Sequence, residues 1–492
     1  FKFLLVLAIT LLVTLFCVFV QVQDFQKKKQ QYNQQIERKQ KIIQNATVFS
    51  KFAIPIVIKP NPLSIFAKGY EDKLGNEIMI SWKNLPEFSR FDFMRESKET
   101  VDSNEKNPYL NIFTEFDVLR IVMIILSVLT VFVVSNAISG ERENQTLKLL
   151  YTNPLGRFEF FMAKYVANLT TLSIPMVFIF LSATAMVVLQ PFIQVEPDFY
   201  LRVFLILLGC FLFLSVFTLL TLIISALSSS SSRSLVYGLL IWMLIVFVYP
   251  NSVQYAVEKS MEIPSLSTLE KKKARLYDEL GNAKKEFREN HSLNKGIGYA
   301  YHNANRFFST IIGATQKYVF EHKLKELKSL LPKLFKIQTE LMNAIDKYRS
   351  KLINRQQIVE RLSLPLPNYL LEKTGTKIAN TDRYARDIYI RDQAQRFRRQ
   401  VFDYIRSKDG FGYKFFTQME PENMKNDMRD YPEKYFNLSY YRNNYPTLNL
   451  QDRPKFSFKK PFQFPMEIFF LLIMNLILVV LGSHLFMRSK LL

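Results

Sequence analysis

The 492-residue chain carries 65 Lys and Arg against 43 Asp and Glu, a formal charge of +22, while 49% of it is hydrophobic and 14% aromatic. Very apolar segments are therefore averaged with very polar ones, which excludes one ordinary soluble domain. Only 14 Gly and the lack of any G-x-x-x-x-G-K-[ST] loop exclude a glycine-rich catalytic fold and nucleotide hydrolysis by a phosphate loop in this chain. If ATP is used, a partner supplies the site. Cys17 and Cys210 both lie in apolar runs, leaving neither a disulfide framework nor a cysteine metal site. His291, His302, His322 and His484 show no metal-ligand spacing and read as solvated side chains.

Six segments approach the roughly 20 apolar residues needed to cross a hydrocarbon core of about 30 Å. They are Phe3–Val20, Phe116–Ala137, Phe161–Leu189, Val203–Leu227, Leu235–Tyr249 and Met466–Phe486. The fifth is short and borrows from Ser228–Ser234 or is covered by neighbours. The first resembles a signal peptide in its Lys2 lead-in, but no small-x-small cleavage site follows it. Opening on Phe1 in place of Met suggests a short preceding segment. The chain is expected to be an α-helical polytopic membrane protein with six transmembrane helices.

Orientation follows from the short loops. The loop 138–160 carries Arg142, Lys148 and Arg157, the serine run carries Arg233, and the tail carries Arg488 and Lys490. The opposing loop 190–200 has Glu196 and Asp198 and no Lys or Arg. Both termini are accordingly expected in the cytoplasm of a bacterial cell, with the spans in its cytoplasmic (inner) membrane. Residues 21–115 would then form a smaller mixed α/β extracytoplasmic lobe, and 251–465 a large, mainly helical extracytoplasmic domain. The latter holds 40 Lys and Arg against 24 Asp and Glu. No aromatic-basic recognition motif accompanies this charge, and its side is wrong for nucleic acid, so none is expected as partner.

In the first external segment a helix is expected to continue through Gln21–Gln44, followed by short strands near Ile54–Ile58 and Glu77–Ser81, because Pro55, Pro60 and Pro62 forbid helix. In the second, Ser267 and Glu270 form a capping-box pattern before a helix over Lys271–Glu289. Apolar residues at steps of three and four (Leu324, Leu327, Leu331, Leu334, Ile337, Leu341, Ile345) predict a long helix over Ile311–Arg361. A third, Arg-rich helix is expected at Asp382–Ser407, and the stripes should pack together as a bundle or hairpin. Lys164 and Arg202 sit near span ends, where snorkelling explains them. The hydroxyls of Ser173, Ser182, Thr184, Ser215, Thr218 and Thr221 in the third and fourth spans suit helix packing.

The loop 138–160 carries the mechanism. Gly140 can break the emerging span, Glu141–Asn144 place acid at the start of a new helix, Leu147, Leu150 and Tyr151 give it one apolar face, and Pro154 ends it. An element that only anchors the loop to lipid would look similar. The segment resembles the E-R-E-x-G-T-L-x-x-L-L-x-x-P-x-x-R signature of the membrane subunits of type-2 ATP-binding-cassette (ABC) transporters, and especially the branch associated with multicopper-enzyme maturation. The matching positions are Glu141, Arg142, Glu143, Thr146, Leu147, Leu150, Pro154 and Arg157. Gln145 stands where the family usually has Gly, which should stiffen the helix start, and Asn136 replaces an acidic residue often seen before the signature. Lys59–Ser64, the serine run before Trp242, Pro250-Asn251, Leu362–Pro365 and the Arg-rich helix extend the likeness.

The resemblance implies a permease subunit with no nucleotide site of its own. A second permease, identical or related, would complete the membrane pathway. A cytoplasmic ABC ATPase dimer binding ATP and Mg would drive it through a coupling helix formed by the matched residues, and a substrate would be exported. The alternative is a non-transporting mechanotransmitter or envelope scaffold whose motion acts on an extracytoplasmic envelope protein. An intrinsic enzymatic activity is disfavoured, since no paired carboxylates or metal cluster are spaced for one.

Overall fold

The computed structural model describes residues 2–44, 46–71, 77–81, 117–147, 156–193, 195–261, 263, 265–291, 317–382, 384–385, 390–416, 448–456, 462 and 464–488. Within these it is predominantly helical, in two parts: a bundle of apolar helices and a polar head.

The first helix, α1 (Lys2–Gln44), runs 43 residues without a break. Its apolar half contains the expected first span, whose side chains through residue 11 lie outside the described residues. Among the described residues, five helical rods after α1 are long and apolar enough to cross a membrane. The second span comprises α2 (Val118–Ile121), a π-helical turn at Val122–Leu126, α3 (Ser127–Val134), a turn over 135–138 and α4 (Ser139–Glu143). Then come α5 (Arg157–Val188), α6 (Phe199–Leu227), and a rod made of α7 (Ser231–Met243), a second π-helical turn at Leu244–Val248 and α8 (Tyr249–Ser260). The fifth span, expected to be short, thus spans 30 residues at Ser231–Ser260, because its helix starts at Ser231 and continues past Pro250 to Ser260.

The head is built from β1 (Ala53–Val57), β2 (Glu77–Ser81), α9 (Leu266–Asn290), α10 (Lys317–Ser363), α11 (Pro367–Ala379) and α12 (Ile390–Ser407), and α13 (Glu467–Arg488) closes the chain as the last apolar rod. β1 and β2 pair antiparallel with Ile56 opposite Ile78 and Ile54 opposite Ile80. The capping box expected at Ser267 is not used. Helix α9 starts one residue earlier, and its N-cap is Ser265, whose extended backbone already accepts the Thr268 N–H at 3.0 Å. The Arg-rich helix is described from Ile390; most of the expected stretch before it lies outside the described residues.

The bundle has α6 at its centre, packed by α3, α5, α7, α11 and α13. One core lies toward the head, where α1, α2, α5, α6 and α11 meet around Phe66, Leu119, Phe213 and Leu371. Another lies toward the opposite end, around Ile138, Phe161, Leu219, Leu222 and Phe486. In the head, Ile43, Phe52 and Ile56 of the first external segment share a single core with Leu327 of α10 and with Phe397, Val401 and Ile405 of α12. Residues from both expected lobes therefore enter one packing unit. A smaller contact of Leu276 with Ile337 and Leu341 joins α9 to α10 as the expected hairpin.

Helix α11 has no counterpart in the expected elements. Nine of its residues are buried, including Leu370, Leu371, Thr374 and Ile378, and it lies across the head ends of α6 and α13. Two close approaches fix it there. A Cβ on Gly209 would meet Thr374 at 3.3 Å, and one on Gly375 would meet Leu119 at 2.6 Å.

Candidate coupling site

The Glu141-Arg142-Glu143 run sits at the junction where four rods end. The backbone is broken over 135–138, just before the expected break at Gly140, and Ser225 of α6 repairs it. Its hydroxyl accepts from Ile138 N–H (3.1 Å) and Ser139 N–H (3.0 Å) and donates to the Ser135 carbonyl (2.7 Å). The two N–H groups are the donors that the break would otherwise leave buried without partners, while the Ser135 carbonyl also accepts the Ser139 hydroxyl at 2.7 Å. Gly140 lies inside α4, where a Cβ would strike the Asn136 side chain at 2.0 Å. Any larger residue here must displace the Asn136 amide. The Asn136 oxygen accepts the Ser231 hydroxyl at 2.7 Å, so the amide joins the second rod to the start of α7 without adding a charge.

Each of the three signature charges grips a different helix. Glu141 pairs with Lys164 of α5 at 2.8 Å, and its other oxygen accepts the Thr146 hydroxyl. Arg142 reaches the C-terminal end of α6, its Nη1 donating to the Ser228 carbonyl (2.8 Å) and its Nη2 to the Ala226 carbonyl (2.9 Å). A cation there satisfies carbonyls that have no partner within the helix and complements the negative end of its dipole. Glu143 accepts the Ser231 N–H at 3.0 Å, in the first turn of α7, the end where a carboxylate is favourable. An acid-base-acid triplet on one short helix thus captures α5, α6 and α7.

Gln145 ends α4 in the left-handed region, with φ of 61°, and its N–H bonds the Arg142 carbonyl at 3.1 Å. This is the helix-terminating position that favours glycine. The substitution of Gln for the usual Gly therefore bears on how α4 stops rather than stiffening a helix start. Thr146 and Leu147 follow in helical conformation, and Leu147 is buried among Ile138, Phe160 and Leu222 rather than turned outward. Leu150 and Pro154 lie outside the described residues. Arg157, at the start of α5, donates to the Met487 carbonyl at the end of α13 (2.6 Å), tying in the last rod as well.

The sequence reading missed Lys164, Ser225, Ser231 and Arg202. Lys164 does not merely snorkel, since it is the partner of Glu141. Arg202, also assigned to snorkelling, is buried at the head end of α6. It pairs with Asp198 (2.6 Å), donates to the Ile378 carbonyl of α11 (3.1 Å), and lies 5.3 Å from the Phe462 ring centroid. Among the six span hydroxyls, five bond a carbonyl of their own helix. Only Ser215 crosses, to Tyr165 (2.6 Å) on α5 and to Asn475 on α13. The signal for these residues was the polar type within an apolar run, which names the residue without naming its partner.

The model of the ABC-2 family transporter proteins matches residues 2–331, and the chain belongs to that family. It is a multi-pass membrane protein, the permease subunit of an ABC transporter, and works with a cytoplasmic ABC ATPase; members of the family are membrane components that carry no nucleotide-binding site themselves. None of the curated proteins compared with it is similar.

Proposed function

We propose that two permease subunits, this chain with a copy or a relative, form the membrane pathway of an exporter, and that the segment 138–160 is the coupling helix through which the cytoplasmic ATPase moves the spans. ATP and Mg are bound by that ATPase. The observation that carries this reading is the junction: Glu141, Arg142, Glu143 and Arg157 grip the ends of α5, α6, α7 and α13, so a push on this loop reaches four rods at once. Support for a second subunit comes from the rod Ser231–Ser260, of which only 11% of the apolar window is buried. Positive-inside logic puts the junction and both termini in the cytoplasm and the head outside a bacterial inner membrane.

The test is ATPase activity of the purified complex. Glu141→Gln and Leu150→Ala should lower stimulation of the ATPase by the permease at least severalfold while the complex still co-purifies. Unchanged stimulation in both variants would remove the coupling assignment.

A second reading, a mechanotransmitter acting on an envelope protein, is favoured by continuity. α1 and the rod ending in α8 both run on from the bundle toward the head, where Glu258 of α8 meets Arg355 of α10 at 3.7 Å. Transport assays separate the two readings: ATP-driven binding or release of an envelope protein with no solute flux would favour the second.

A further inference from the structure

A cleft of about 370 Å³ lies where the last turns of α10 meet α11, beside the head ends of the apolar rods. One wall is a continuous hydrogen-bonded chain. The Gln356 amide donates to Glu360 (3.3 Å), Glu360 holds the Lys373 ammonium (2.5 Å), and that ammonium donates to the Tyr369 hydroxyl (2.8 Å). The protein's own cation is thus already seated between a carboxylate and a tyrosine, 5.4 Å from the ring centroid. The other lining lysine, Lys377, is taken by Glu467 at 2.6 Å.

With both lysines neutralised, the lining still carries Glu372 and the rings of Tyr70 and Tyr384. Glu372 is exposed and, among the described residues, has no cationic partner. The Tyr369 hydroxyl is pushed well above its ordinary value, by burial first and then by the negative charges of Glu360, Glu467 and Glu372. In a chain of net charge +22, this is a place of local negative potential walled by aromatic rings.

We propose that the cleft binds an organic ammonium ion, a small primary or quaternary amine whose charge faces Glu372 and whose carbon atoms lie against the tyrosine rings. A carboxylate beside aromatic faces recognises such a cation through charge and through the ring quadrupole. A bare divalent metal needs six or more oxygens at short range, which this lining does not converge. The volume lies near the lower end of small-molecule sites, enough for an amine of a few carbon atoms. The same ammonium chemistry is offered by a free amine and by a phospholipid headgroup.

The experiment titrates the full-length protein, in maltoside detergent at constant ionic strength, with choline chloride in one arm and with short-chain phosphatidylcholine in the other. Saturable binding is expected in at least one arm, weakened at least tenfold by Glu372→Gln and abolished by Glu372→Lys, which supplies a tethered ammonium. Glu279→Gln, on the exposed face of α9, should bind as the unaltered protein does. Saturation by choline assigns the site to free amines, and saturation by the phospholipid alone assigns it to a headgroup. No saturation in either arm, unchanged affinity in Glu372→Gln, or equal loss in Glu279→Gln overturns the proposal. All three variants alter exposed side chains, so circular dichroism and melting should match the unaltered protein.

Discussion

At the scale of single residues, the junction depends on side chains whose roles follow from helix-end chemistry. Arg142 covers two carbonyls at the end of α6 with a forked donor. Arg142→Ala should lower stability by roughly 2 kcal/mol, since charged hydrogen bonds are lost and the carbonyls are left unpaired. Arg142→Lys should recover less than half, because an ammonium cannot span both acceptors in the same way. Thermal melting of the purified protein checks both. Gln145 is a converse case, held at φ of 61° where a side chain is strained. Gln145→Gly should stabilise by up to about 1 kcal/mol, and Gln145→Val should destabilise by more than that. Equal melting temperatures for the two would show that the helix does not end in this conformation.

At the scale of elements, the rods and the hairpin were legible because their signals repeat over many residues: 20-residue apolar runs for the spans, and steps of three and four for α10. Strand β1 was legible from Pro55 and Pro60, which favour extended backbone, whereas Pro62 opens a 3-10 turn over Pro62–Ile65. Helix α11 was not. Its 13 residues are too few for a periodicity to stand out, and it is buried on most sides, so Leu370, Leu371, Thr374 and Ile378 show no polar contrast. The site was half legible: the motif gave Glu141, Arg142 and Glu143, but not the helix that each one grips, since the partners are 23 to 88 residues away in sequence. Two elements allow direct tests. Gly238 of α7 faces Val131 of α3, where an added Cβ would come within 2.8 Å. Gly238→Leu should force these rods apart and cost about 1–3 kcal/mol, read by melting. In the head, Lys408 (2.6 Å) and Tyr404 (3.0 Å) hold Asp452, and together they keep its carboxyl below the ordinary value. A depressed carboxylate stabilises the fold above its unfolded pKa, and the effect is lost as pH falls through the lower, folded value. Hydrogen exchange at 448–456 should therefore quicken as pH falls below about 4, after correction for intrinsic rates, and Asp452→Asn should remove that dependence.

At the scale of the molecule, charge and hydrophobicity are segregated. The apolar rods carry few ionisable groups, and the +16 of residues 251–465, from 40 Lys and Arg less 24 Asp and Glu, belongs to the head and its neighbouring segments. The proposed orientation is testable with single cysteines, because Cys17 and Cys210 are both buried and should give little background. Ser267→Cys on α9 should react with an impermeant maleimide in intact cells, and Ser232→Cys on α7 only after permeabilisation. The reverse pattern would invert the topology and the side on which an ATPase can dock.

Helix α10 also has a mechanical consequence. Its 47 residues make a shaft of about 70 Å, at 1.5 Å per residue. Near its foot, Glu360 is tied to α11 and Arg355 to α8, both of them elements anchored on the bundle. A tilt of only ~5° about that foot would carry the far end through ~6 Å, by the same length arithmetic. Displacement grows along such a shaft while the force it can exert falls in proportion. The distal end is therefore suited to a loosely held load moved far, and the foot to a tightly packed one moved little.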